Sequence, residues 1–211
     1  MLADLKRFFA GGPAAAADRW VVVDVETSGM DVASDGLLSI GAVAIGADGR
    51  VRPADSLEIV LRQQAASGKQ NILVHGIGAQ AQLTGVDPPT ATRAFLDYVG
   101  TSPIVAFHAP FDRGFLARAV KVFVNQPFDN PWLDLAELAP ALDPKANAKA
   151  LDEWLTRYGI PVVERHSAAA DALATALLAA RLLPDARRQG ATDFAALARI
   201  AKAARWLNAR G

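Results

Sequence analysis

The most constraining stretch of this 211-residue chain is Trp20-Val-Val-Val-Asp-Val25, which runs directly into Glu26. β-Branched residues suit a pleated surface, and a run without apolar/polar alternation is the composition of a central strand covered on both faces. Such a strand needs a sheet with layers packed above and below it. It also ends in two carboxylates, Asp24 and Glu26. Side chains two apart on a strand point to the same face, with Cα atoms roughly 6–7 Å apart. Burying one ionised carboxylate is costly, and burying two side by side costs more unless cations neutralise them. Two readings of the pair stand at this point: a strand end that frays into solvent with hydrated acids, or a site built for a cation.

The flanking sequence supplies the sheet. Leu37–Ile45 and Val51–Leu61 read as two further strands, with Asp48-Gly49 as the hairpin turn between them. Residues 63–90 read as irregular, rich in Gln and Gly and ending at Pro88-Pro89. A helix is expected over Thr90–Tyr98, a short buried strand over Ile104–Phe107, and a helix with Pro110 in its first turn running to about Val124. Pro127–Pro131 break the chain before a brief strand at Trp132–Asp134. Helices follow over Ala136–Leu142, Leu151–Tyr158, Ser167–Leu183 and Asp193–Asn208, the second of them stopped by Gly159 and Pro161. Strands in a hairpin cluster, then strands alternating with helices, predict an α/β fold: a mixed β-sheet flanked by α-helices.

The sequence divides into residues 1–18, a short helix (Leu2, Leu5 and Phe9 at helical spacing) with an alanine-rich linker after Gly11-Gly12-Pro13; a main domain over 19–184; and a basic amphipathic C-terminal helix over 185–211 packed on the domain. Apolar residues make up 52% of the chain, which supports a full core and excludes global disorder. No apolar run is long enough to span a membrane, and the N-terminus lacks the apolar core of a secretory signal, so no membrane partner and a cytoplasmic setting are expected. There is no cysteine, which removes thiolate catalysis and cysteine-based metal sites. With only three histidines, a metal would be a hard cation held by carboxylates. Net charge is zero, so a case for nucleic acid must come from a local site. The split is uneven, however: residues 185–211 carry six basic residues against Asp185 and Asp193, a net of +4 that leaves −4 for the remainder. The basic face of that last helix is either merely solvated or touches a nucleic-acid backbone.

Two more segments carry acids where acids need a reason. In Phe107-His-Ala-Pro-Phe-Asp112, Asp112 falls in the first turn of a helix that follows a buried strand. A favourable macrodipole interaction would account for it, and His108 reads equally well as a hydrogen-bonded strand-end histidine. In His166-Ser-Ala-Ala-Ala-Asp171, Ser167 is placed as an N-cap, His166 lies just outside the helix, and Asp171 shares a stripe with Leu178 and Leu182 on an almost wholly apolar helix.

Together these segments resemble the DEDDh, or DnaQ-like, exonuclease family, which includes the exonuclease domain of the DNA polymerase III epsilon subunit. Asp24 and Glu26, with the following Thr27-Ser28-Gly29-Met30-Asp31 and the later Leu37-Leu38-Ser39-Ile40-Gly41-Ala42-Val43, match its first motif; Phe111 and Asp112 match its second; His166 and Asp171 match its third. Gln70 and His75, in Gln70-Asn-Ile-Leu-Val-His-Gly-Ile77, look like the family's substrate-site segment. The resemblance covers about residues 19–183, and four segments in the right order make it specific. Phe107 and His108 depart from the His-Asn that commonly precedes the second-motif acid.

The resemblance implies a ribonuclease H-like fold and removal of nucleoside monophosphates from the 3′ end of DNA by two-metal-ion hydrolysis with Mg²⁺ or Mn²⁺. It implies Asp24, Glu26, Asp112 and Asp171 as metal ligands, with Asp24 bridging and Asp112 serving the second ion. It makes His166 the general base, its reference pKa near ~6.5 suiting proton abstraction at neutral pH. Thr27, Gln70 and His75 would hold the terminal nucleotide. The implied partner is nucleic acid with a free 3′ end, single-stranded DNA above all, and a polymerase or replication partner is a further expectation. An exoribonuclease and an inactive binding module are the alternatives; the intact Asp24/Glu26/Asp112/His166/Asp171 set speaks against the second. No glutamine-led clamp-binding peptide stands near the C-terminus, which favours a free-standing enzyme.

Overall fold

A computed structural model describes residues 18–161 and 166–208. The short helix and linker expected before residue 18 lie outside the described residues. Strand β1 (Arg19–Thr27) occupies the middle of a five-stranded sheet of order β3-β2-β1-β4-β5. It pairs antiparallel with β2 (Leu37–Gly46), which pairs antiparallel with β3 (Val51–Val60). On its other side lie the three-residue parallel strands β4 (Ile104–Ala106) and β5 (Trp132–Asp134). The β2–β3 hairpin turns at Asp48-Gly49, where Gly49 takes a φ of +88° that a side chain would strain.

The expected continuous burial of β1 holds: Trp20 and Val22 face one core, Val21, Val23 and Val25 the other. The second core is closed by α3 (Pro88–Val99) and α4 (Ala109–Ala119), which continues as a π-helical turn over Val120–Val124. The first is closed by α5 (Leu135–Leu142), α6 (Leu151–Arg157), α7 (Ala168–Arg188) and α8 (Phe194–Asn208). The face of α7 on the sheet is mostly alanine, so its axis approaches β1 and β2 closely. Phe194 at the start of α8 meets Trp20 edge-on at 5.3 Å. Among the described residues, no helix is long and apolar enough to cross a membrane.

Two expectations need correction. Residues 63–90 are not irregular throughout: α1 (Lys69–His75) and α2 (Ala79–Thr84) form there, each preceded by a glycine, with Gly76 in the left-handed region ending the first. Helices this short carry too few turns to show a period. Helix α7 does not stop at Leu183 but runs through Pro184 to Arg188, so a boundary at 184/185 falls inside it. A mid-helix proline costs a hydrogen bond, but Leu182, Leu183 and Ala186 are all buried and hold the helix on both sides of it. Ser167 does occupy the N-cap of α7, yet its hydroxyl makes no cap bond.

Candidate active site

Alternation along β1 places Asp24 and Glu26 on the face of Trp20 and Val22, the face that α7 covers. Across the sheet from Asp24 sits Gly41 of β2. A Cβ at Gly41 would come within 2.0 to 2.3 Å of the Ala168 and Ala169 backbone, so the first turn of α7 rests directly on that glycine. This close approach delivers Asp171, buried in the first turns of α7, to the end of β1. One oxygen from each of Asp24, Glu26 and Asp171 lies within 4.8 Å of the other two. Like charges near that distance repel by about 3 kcal/mol at an effective dielectric constant of about 20. A set of hard oxygen donors this close fits a divalent cation such as Mg²⁺ or Mn²⁺, and the fit is better than for a thiophilic metal.

Asp112 joins the group from another direction. Strand β1 outruns β4, which pairs only with Val21 and Val22. Beyond it the backbone N–H of Val25 donates to Asp112 Oδ1 at 3.1 Å. Asp112 is buried in the first turn of α4 and belongs to the sheet end rather than to the three-oxygen cluster. Burial pushes its carboxyl well above the usual carboxylate range; the N–H groups of Asp112 and Val25 oppose this, while the nearby Asp134 and Glu26 charges add to it.

Both site helices are entered through a histidine in the left-handed region. His108 before α4 and His166 before α7 each have φ of +62°. A carboxylate holds each turn: the His108 N–H donates to Asp134 Oδ1 at 3.0 Å, and the His166 N–H to Asp171 Oδ2 at 3.1 Å. Non-glycine residues rarely adopt this backbone conformation, and where they do the surroundings must over-determine it. His166 is exposed, and its backbone is tied to one of the cluster's own acids.

In the segment expected to contact the terminal nucleotide, two of the three named side chains make bonds within the protein. His75 is buried, and its two ring nitrogens are engaged within the protein. Nδ1 accepts from the Ile77 N–H at 2.9 Å, so Nε2 carries the proton and donates to Asn71 Oδ1 at 2.6 Å. Burial lowers the imidazole's pKa, which keeps it neutral in this role. Asn71 in turn donates to the Thr27 carbonyl at 3.0 Å, and the Thr27 hydroxyl donates to the Gly29 carbonyl at 2.6 Å. His75 and Thr27 thus hold α1 and the corner after β1 in place, while Gln70 on α1 is exposed. Asn71, Gly41 and Asp134 are the residues missed from sequence. The first two lie inside the quoted motif segments, but only register and distance reveal what they do.

A central strand ending in carboxylates, within a mixed sheet of this order and helices on both faces, defines a ribonuclease H-like fold. The chain belongs to the RNase_T exonuclease family, whose sequence profile matches residues 21–179. It is 32% identical to a DNA polymerase III subunit epsilon-like protein of Rhodobacter capsulatus over 181 residues, covering 84% of this chain and 25% of that protein. It is 29% identical to the PolC-type DNA polymerase III of Bacillus subtilis, covering 82% of this chain and 12% of that one. The chain thus spans a quarter or less of the length of these relatives. Among solved structures, E. coli exonuclease I in complex with a dT13 oligonucleotide superposes with a TM-score of 0.71 at 19% identity, over 82% of this chain and 42% of that one.

Proposed function

We propose that the protein is a divalent-metal-dependent 3′–5′ exonuclease that releases nucleoside 5′-monophosphates from single-stranded DNA. The observation that carries this reading is the gathering of Asp24, Glu26 and Asp171 oxygens within 4.8 Å at the end of the central strand, in a chain of an exonuclease family. Two relatives bear polymerase III names, and one structural neighbour was solved with an oligodeoxynucleotide, which supports DNA and a replication setting.

Asp24, Glu26 and Asp171 would hold Mg²⁺ or Mn²⁺, with Asp112 serving a second ion, and the metals would supply an activated water and offset the charge on the phosphodiester. His166 takes the proton of the attacking water on a ring nitrogen. The water oxygen bonds to phosphorus as the bond to the 3′ oxygen of the preceding nucleotide breaks. Asp171 orients His166 through the backbone bond between them. Asn71 and His75 keep the corner after Glu26 in register with α1.

The test is digestion of DNA labelled at its 5′ terminus, with and without Mg²⁺, beside RNA of matched sequence and a closed single-stranded circle. A descending ladder on linear DNA, lost on chelation, with the circle intact is the expected result. Cleavage of the circle, immediate release of the 5′ label as a mononucleotide, or turnover unaffected by chelation overturns the reading.

A further inference from the structure

A groove of about 510 Å³ lies between α4, the edge strand β5 and α8. Small residues, among them Gly114, Ala198 and Ala201, line it, so its surface is open to a bulky occupant. Arg113 of α4 and Lys202 and Arg205 of α8 also line it, and all three are exposed. Lys202 and Arg205 are three apart, hence neighbours on one helix face. Trp206, 55% exposed, follows directly on α8.

Two acids also line the groove, and both are offset locally. Asp134 Oδ1 accepts the N–H groups of His108 and Ala136 at 3.0 Å each. Glu137 lies in the first turn of α5, where backbone N–H groups favour a negative charge. Three cations against two acids leave the groove's lining with a net positive charge. Its wall includes the first turn of α4, the turn that carries Asp112, through Ala109, Pro110 and Arg113.

A groove lined by three cations, with the exposed Trp206 next to one of them on the same helix, matches the chemistry of a single nucleic-acid strand: phosphates for the cations and a base face for the indole. We propose that this groove carries the strand behind the 3′ end held at the carboxylates, with Arg113, Lys202 and Arg205 on successive phosphates and Trp206 against a base. The inference rests on the exonuclease reading for which end the strand presents.

The experiment compares the wild-type chain with the Lys202→Gln/Arg205→Gln double variant on a long oligothymidylate and on a thymidylate dinucleotide, across a salt series. The ratio of kcat/KM for the long substrate over the short one falls about tenfold. The log–log salt slope for binding the long substrate falls by about 1.4, because each single-strand phosphate contact contributes about 0.7. An unchanged ratio and slope, or an equal loss on both lengths, overturns the groove as a strand path. Should the wild-type chain hydrolyse neither substrate, the exonuclease reading fails by itself. The groove is then judged by fluorescence anisotropy of a labelled oligothymidylate in chelator, where undiminished binding by the double variant assigns it to something other than a nucleic-acid strand and overturns the proposal.

Discussion

The two ends of β1 handle charge in opposite ways. At its start, Arg19 is almost fully buried, yet Nε and one terminal nitrogen donate to the Asp55 carboxylate at 2.8 and 2.9 Å, and the other nitrogen donates to Ser102 at 3.0 Å. The guanidinium lies 4.6 Å from the Tyr98 ring centroid, and the Tyr98 hydroxyl donates to the Asp55 carbonyl. At the other end of the strand, Asp24 and Glu26 meet Asp171, and Asp112 stands close by. The first cluster is closed with both signs of charge and a donor for each acceptor. In the second, negative charges are gathered onto one another. One strand therefore carries a cluster of paired opposite charges at one end and a gathering of carboxylate oxygens at the other.

The sharpest way to test that contrast is at Asp24. Asp24→Ala should reduce nuclease activity by about 10⁴-fold, the scale of losing a ligand needed for the transition state. Its melting temperature in chelator should equal or exceed that of the wild type, because like-charge repulsion is relieved. A large drop in stability would return Asp24 to the architecture. His166→Ala should lower turnover by roughly 10²–10⁴-fold, with metal binding by calorimetry little changed; an unaltered rate removes it as the base.

At the opposite end the effect should be on stability alone. Asp55→Ala leaves Arg19 buried without its partner and should cost about 3 kcal/mol, the lower end of the range for breaking a buried pair, because Asp55 keeps 21% of its side-chain surface in solvent. Chemical denaturation measures this, and the rate per folded molecule should stay within about twofold of wild type, a change worth about 0.4 kcal/mol in barrier height. Loss of activity without loss of stability would break the comparison.

The smallest effect is in the pH dependence, and its sign differs between the ends. Burial pushes Asp55 up, but the Arg19 hydrogen bond and charge outweigh it and hold the carboxyl below its ordinary value. Its contribution is therefore present above the unfolded pKa of about 4 and is lost as pH falls through the lower folded value. Asp112 is shifted the other way, so its contribution is present in acid and lost as pH rises from about 4 toward the raised folded value. Asp112→Asn should raise the melting temperature in chelator at neutral pH, with the gain shrinking toward about pH 4. A constant gain across that range would show that charge on Asp112 is not the cause.

The strand, its terminal acids and the order of the three motif segments are legible in sequence because each is local: valine runs, a two-residue spacing, a five-residue spacing. What is not legible depends on distance through space. Asp112 reads as the ligand of a second ion, but its bond from the Val25 N–H and its place outside the three-oxygen cluster show only in space. His75 reads as a contact for substrate, but burial and its bonds to Ile77 and Asn71 turn it inward. The reach of α7 past Pro184 is hidden because local propensity says stop and tertiary burial of Leu182, Leu183 and Ala186 overrides it.

Gly41 works as a spacer of zero thickness. It needs no unusual backbone angle; what it supplies is the absence of a methyl group between sheet and helix. The gap across which Asp24 and Asp171 face each other is thus set on the neighbouring strand, by a residue with no chemistry of its own. A single added carbon there would act as a shim under α7, parting Asp171 from Asp24 while leaving every acid in the sequence. A chain with all its acids intact could lose the proposed metal site in this way, and an inventory of acids would not reveal why.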